Sequence, residues 1–137
     1  MKRNATAVWN GTIKEGKGTI TTQSTTLDHA QYSFNSRFAE GVGTNPEELM
    51  AAAHAGCFTM KLSLDLTEAG FNPESLETVA HVTLDNGVIT GSHLVLNAAV
   101  SGITDEKFQE IAKGAKENCP VSKAYGAIDL SLEATLK

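Results

Sequence analysis

Asn45-Pro-Glu-Glu-Leu-Met-Ala-Ala-Ala-His-Ala-Gly-Cys-Phe-Thr-Met-Lys-Leu-Ser-Leu-Asp-Leu-Thr-Glu-Ala-Gly70 reads as one long helix with both ends marked. Asn45 suits the N-cap and Pro46 the first helical position, where a missing amide costs nothing; Glu48 suits the third position of a capping box. Gly70, followed by Asn72-Pro73, supplies the stop. At roughly 100° per residue, Leu49, Ala53, Met60 and Leu64 share one face, while Ala51, Ala55, Phe58, Leu62 and Leu66 cover the opposite side. His54, Lys61, Asp65 and Glu68 fill a narrow polar stripe. A helix apolar on nearly every side is buried rather than laid on a surface. The run Ala51-Ala-Ala-His-Ala-Gly56 carries little bulk, so another backbone element can approach closely there. A chain of 137 residues has limited material to enclose such a helix, and a second copy is expected to supply part of the cover.

Towards the N-terminus the chain reads as strands and turns. Thr6-Ala-Val-Trp9 precedes the turn signal Asn10-Gly11, residues 19–26 are rich in β-branched side chains, and Tyr32-Ser-Phe-Asn-Ser-Arg-Phe38 alternates. A meander of antiparallel strands is expected, ended by Gly41-Val-Gly-Thr44. Towards the C-terminus, strands are expected near 76–84 and 88–101, joined by the hairpin signal Asp85-Asn86-Gly87. A second helix should open at Thr104, with Asp105 and Glu106 in its first turn, and end near Asn118. Cys119-Pro120 starts a short helical piece, and residues 127–136, alternating Ile128, Leu130 and Leu132, close a sheet. The expected fold class is α+β, with antiparallel sheets around a long buried central helix in a single domain over residues 1–137.

Composition narrows the function. The chain is 41% apolar and 20% charged, with a net charge of −5. That balance suits a globular protein and argues against nucleic acid or an anionic membrane as the main partner. No stretch approaches the roughly 18 apolar residues of a membrane span, and Met1-Lys-Arg lacks the apolar run of a signal peptide. A cytoplasmic protein is expected, in which two cysteines are an unlikely structural bridge.

Cys57 lies at the edge of the polar stripe, within a turn of His54 and Lys61. It reads equally well as a small thiol packed among alanines. It is too deep in the helix for the helix N-terminus to lower its pKa, so a reactive Cys57 needs a cation brought to it. Arg37 is the best candidate in the preceding region; its bland reading is a solvated charge at a strand end. Cys119 precedes Pro120 at the expected N-cap of the next helical turn, where backbone amides stabilise a thiolate; otherwise it is a partly exposed capping residue. A metal site from His54, Cys57, Cys119 and His29, His81 or His93 lacks any CxxC or HxxxH spacing. Gly16-Lys-Gly18 and Gly41-Val-Gly43 are better read as turns than as phosphate loops.

Arg37-Phe38, Gly43-Thr-Asn-Pro-Glu-Glu-Leu49 and Ala51-Ala-Ala-His-Ala-Gly-Cys-Phe58, with Asn118-Cys-Pro-Val-Ser-Lys123, resemble the two cysteine motifs of the OsmC/Ohr family. That family comprises osmotically inducible protein C and the organic hydroperoxide resistance proteins. Thr6-Ala-Val-Trp9 and Gly16-Lys-Gly-Thr19 also fit, so the resemblance runs through essentially the whole chain. His54 and Val121-Ser122 resemble the OsmC branch more than the Ohr branch.

The resemblance implies an intertwined homodimer acting as a thiol peroxidase on organic hydroperoxides and hydrogen peroxide. It implies Cys57 as the peroxidatic thiol, Cys119 as the resolving one, and Arg37 and Glu47 as the residues that position and activate the thiolate. It also implies a small dithiol reductant, such as a lipoyl-type one, and no cofactor. The bland reading of Glu47 is an acid favoured by the helix dipole. Glu47 and Cys57 are ten residues apart on one helix, hence about 15 Å along its axis. A Glu47 that serves a Cys57 site is therefore expected to serve the partner chain's. The competing reading is a ligand carrier or interaction domain with structural cysteines. Phe38, Phe58, Met60 and Leu64 are candidate apolar walls for bulky hydroperoxides, and core packing accounts for them equally well.

Overall fold

The computed structural model describes residues 1–137, which divide into two compact units, Met1–Leu49 and Met50–Lys137. The first contains strands β1 (Ala5–Asn10), β2 (Lys17–Thr22) and β3 (Ala30–Tyr32), paired antiparallel in the order β1-β2-β3. Gly18 sits on β2 between the rings of Trp9 and Tyr32, and a Cβ there would run into both. Those two rings consequently pack at 5.5 Å between centroids. The strand expected over 19–26 stops at Thr22, where the backbone turns and Thr22 N–H donates to the Leu27 carbonyl at 2.9 Å.

A second expectation fails here for a local reason. The alternation of Tyr32, Phe34 and Phe38 does not extend β3; Phe34–Phe38 forms a short helix, α1. Ser33 is its N-cap and accepts from the Ser36 amide at 3.1 Å, while Ser36 Oγ accepts from the Ser33 amide at 2.8 Å. This reciprocal capping competes with a strand ladder. Phe34 and Phe38, four apart, then meet on one side of the helix at 5.0 Å.

Helix α2 (Pro46–Glu68) begins in the first unit and continues through the second. Its start is capped as expected, the Glu48 amide donating to Asn45 Oδ1 at 2.8 Å. The capping box is only half made, because the Glu48 carboxylate accepts from Thr44 Oγ1 instead. At its other end Gly70 has φ +92°, its amide reaches Thr67 O, and the Phe71 amide reaches Leu66 O. This paired closure requires a left-handed residue, for which glycine is suited.

In the second unit β4 (Pro73–Asp85) and β5 (Val88–Val100) form a hairpin through Asn86 and Gly87, both at positive φ. Helix α3 (Asp105–Asn118) is capped by Thr104, and α4 (Pro120–Ala124) follows directly. β6 (Asp129–Leu136) completes the sheet in the order β4-β5-β6. The expectation of purely antiparallel sheets is corrected at this strand, since β5 and β6 run parallel. The intervening helices return the chain to the end of the sheet from which β5 starts, as a parallel connection demands. Phe58, Leu62 and Leu66 of α2 pack with Leu94, Leu96 and Ala98 of β5 and Phe108 and Ala112 of α3 in one core. Each large apolar side chain so buried contributes about 2 kcal/mol.

Within the single chain the central helix is buried along one face. Met60 and Leu64, on its other apolar face, are 77% and 50% exposed in the single chain.

Candidate active site

In the first unit the site residues are set by the α1–α2 corner. Asn45 Nδ2 donates to the Ser36 carbonyl at 2.9 Å, and Ser36 Oγ donates to the Thr44 carbonyl at 2.8 Å. These bonds fix the end of α1 against the start of α2, and Arg37 and Glu47 meet. Arg37 Nη2 donates to Glu47 Oε1 at 2.8 Å, and Nε approaches both carboxylate oxygens at 3.2 and 3.3 Å. Arg37 is therefore on the last turn of α1, not at a strand end. The Glu47 carboxylate is nearly buried. Burial alone would raise its pKa, but the Arg37 hydrogen bonds, a backbone hydrogen bond and the guanidinium charge together hold it below its ordinary 4.5. The Arg37 guanidinium also lies over the Phe38 ring, 5.2 Å from its centroid. A mainly apolar cavity of about 250 Å³ opens beside them, lined by Trp9, Ile13, Tyr32, Phe34, Phe38 and Arg37.

In the second unit Cys57, on α2, faces Cys119, at the joint of α3 and α4. The Cys119 thiol donates to Cys57 Sγ at 2.8 Å, across 62 residues of sequence. Both are free thiols; Cys57 is partly exposed and Cys119 wholly buried. Cys119 is not the partly exposed capping residue of the bland reading, and its side chain makes no cap hydrogen bond. Its backbone closes α3 through Cys119 N–H to Ala115 O at 2.9 Å and opens α4 by accepting from the Lys123 amide at 3.1 Å. Pro120, at the first position of α4, removes a competing amide.

Burial raises the Cys57 pKa above the usual 9.0, Cys119 raises it further, and the Val121 amide of α4 opposes both. Within the unit, then, Cys57 is held towards the neutral thiol.

His54, assigned from sequence to the polar stripe, is fully buried instead. Its ring nitrogens meet Ser92 Oγ of β5 at 2.7 Å and Ser122 Oγ of α4 at 2.8 Å. The ring of Tyr125 stands edge-on to it at 5.4 Å, and the Tyr125 hydroxyl donates to the Met50 carbonyl at 3.0 Å. Ser92 and Tyr125 had no individual sequence signal. The four-residue spacing His54, Phe58, Leu62, Leu66 was a usable one, since it places the imidazole on the ridge that enters the core.

The other histidines are engaged elsewhere: His29 with Asp28, and His93 with Ser131 while stacked on His81. No three His, Cys, Asp or Glu side chains gather in a way that could hold a metal. Phe58 belongs to the core. The four expected residues therefore form two pairs, one in each unit. No helix is long and apolar enough to cross a membrane.

Residues 39–133 match the family model described as OsmC-like protein. Over all of this chain and 98% of the relative, the sequence is 47% identical to peroxiredoxin OsmC of Escherichia coli (strain K12). It is 36% identical to organic hydroperoxide resistance protein OhrB of Bacillus subtilis (strain 168), over 85% of this chain and 88% of that one. The crystal structure of Bacillus subtilis OhrB superimposes with a TM-score of 0.74 at 30% identity, covering 96% of this chain and 98% of that one. An OsmC-like protein of unknown function from Vibrio cholerae shares the fold, with a TM-score of 0.75 at 15% identity over 98% of this chain and 99% of that one.

Proposed function

This chain belongs to the OsmC-like family and is a cysteine-based hydroperoxide peroxidase of stress defence; we propose that Cys57 is its peroxidatic thiol and Cys119 its resolving thiol. The observation that carries the assignment is the 2.8 Å contact between two sulfurs that stand 62 residues apart in sequence. The Cys57 thiolate attacks one oxygen of a hydroperoxide, the O–O bond breaks, and an alcohol or water leaves. Cys57 is left as a sulfenic acid. The Cys119 sulfur then attacks the Cys57 sulfur, the S–O bond breaks, and the hydroxyl leaves as water with the thiol proton. An external dithiol of lipoyl type reopens the disulfide. Sulfur supplies the electron pair, so the reaction calls for no bound cofactor.

The raised pKa of Cys57 within its own unit gives the Arg37–Glu47 pair its role. A guanidinium brought to the sulfur stabilises the thiolate and donates to the peroxide oxygens, while Glu47 orients the fork. The aromatic cavity beside Arg37 suits the organic group of a hydroperoxide. Glu47 lies about 15 Å from Cys57 along α2, which favours service across a homodimer. The exposed Met60 and Leu64 of α2 support such an interface. Residues 1–137 act in this reading as one domain, in the cytoplasm, where dithiol reductants are available.

The test is single-turnover oxidation by cumene hydroperoxide with thiol counting. The wild type should lose two thiols per chain rapidly and Cys57→Ser none. Slow, equal loss in both proteins would return the cysteines to a structural role.

A further inference from the structure

His54 takes no part in the thiol chemistry, yet it is wholly buried one turn before Cys57 on α2. A neutral imidazole has one donor and one acceptor nitrogen, and a serine hydroxyl can serve either. The pair Ser92 and Ser122 therefore satisfies the ring completely, and no buried side-chain polar atom is left unpartnered. Ser92 belongs to β5 of the core sheet and Ser122 to α4. The ring thus links a rigid strand to a helix of five residues, far too short to hold its own shape.

We propose that His54 is a positioning residue, latching α4 to α2 and β5 through Ser122 so that Cys119 stays within reach of an oxidised Cys57. The inference rests on the thiol assignment above. In the reduced protein, beside the packing of Val121 on the core, three hydrogen bonds of side chains tie down α4 and the residues that flank it: Ser122 to His54, the Tyr125 hydroxyl to Met50 O, and the Cys119 thiol to Cys57. The third involves the atom that reacts. Once Cys57 is a sulfenic acid, the reduced thiol–thiol contact no longer exists, and the histidine and tyrosine contacts are the polar side-chain bonds left to hold α4, and with it Cys119, in place.

Placement matters at that moment because two reactions compete. Attack by Cys119 gives the disulfide and water. A second hydroperoxide gives the Cys57 sulfinic acid and an alcohol, the sulfur being oxidised and the peroxide reduced. The latch favours the first by keeping the resolving sulfur close.

Ser122→Ala and His54→Gln test this. Each is oxidised with graded cumene hydroperoxide, and the ratio of Cys57 sulfinic acid to disulfide is read by intact mass. Because the ratio is taken per oxidised Cys57, it does not depend on the speed of the first step. Ser122→Ala should raise it about tenfold, the factor set by a hydrogen bond of about 1.4 kcal/mol. Amides of α4 should exchange hydrogen faster than in the wild type, while those at 58–66 of α2 keep their protection. Unchanged ratios and unchanged α4 exchange in both folded variants would overturn the latch. If the wild type itself forms no disulfide, the thiol assignment fails, and α4 exchange alone then decides whether His54 holds the helix.

Discussion

Glu47 and His54 lie two turns apart on α2, both nearly out of contact with water, and burial pushes each towards its neutral form. Their partners differ, and so do the outcomes. Arg37 offers Glu47 two nitrogen donors and a full charge, and the carboxylate stays ionised. Ser92 and Ser122 offer His54 only hydroxyls, and burial lowers its pKa so that the ring stays neutral. One helix therefore carries a charged pair and an uncharged bridge. The first can act at a distance on a developing charge; the second can only hold atoms in place.

The largest effect should come from removing the charged member. Glu47→Ala leaves Arg37 without its orienting partner and should slow single-turnover oxidation by about a hundredfold. Mixing this variant with Cys57→Ser chains should restore activity if Glu47 serves the neighbouring chain's thiol. No recovery in verified heterodimers would confine the pair to its own chain.

Acidification separates the two groups more gently. Both pKa values are lowered on folding, so both groups bind fewer protons folded than unfolded, and both lose stability as pH falls. His54 contributes fully above its ordinary 6.5 and fades as pH drops through its lower folded value. Glu47 contributes fully above 4.5 and fades below it. Urea midpoints followed into acid should show the upper step disappear in His54→Gln. Arg37→Met should reverse the lower step, because burial, the largest influence on the carboxyl and one that raises it, is then opposed by the backbone hydrogen bond alone. An upper step that survives in His54→Gln would break the comparison.

The smallest effect is expected at Lys61, one turn beyond Cys57. Its ammonium is engaged by Asp65 at 2.6 Å in an i,i+4 pair near the surface. Lys61→Met should leave both the peroxidase rate and the unfolding midpoint within error. A marked loss of rate would show that a cation other than Arg37 serves the thiol.

Much of this was legible where the signals are local. Asn45-Pro46 and Gly70 announced α2, Asn86-Gly87 the hairpin, and Thr104 with Asp105 the start of α3, because each needs only neighbours in sequence. The two cysteine motifs were equally readable. Tyr32–Phe38 misled, since a strand alternation and an i,i+4 aromatic pair place Phe34 and Phe38 alike, and the serine bonds that decide between them are short-range but unmarked. His54 was misplaced because its partners come from 38 and 68 residues away. The parallel pairing of β6 depends on where two helices return the chain, which no pattern within residues 127–136 encodes.

The wide sequence spacing of the two cysteines has a consequence for the resting and spent forms of the protein. A covalent link between positions 57 and 119 closes a loop of 62 residues. In the chain-entropy account, such a closure restricts the unfolded ensemble enough to stabilise the folded state by about 4 kcal/mol. On the proposed thiol assignment, the spent form would therefore be harder to unfold than the form ready to react. During an oxidant burst, when reductant is scarce, the population waiting for repair would also be the one that withstands denaturation and proteolysis longest.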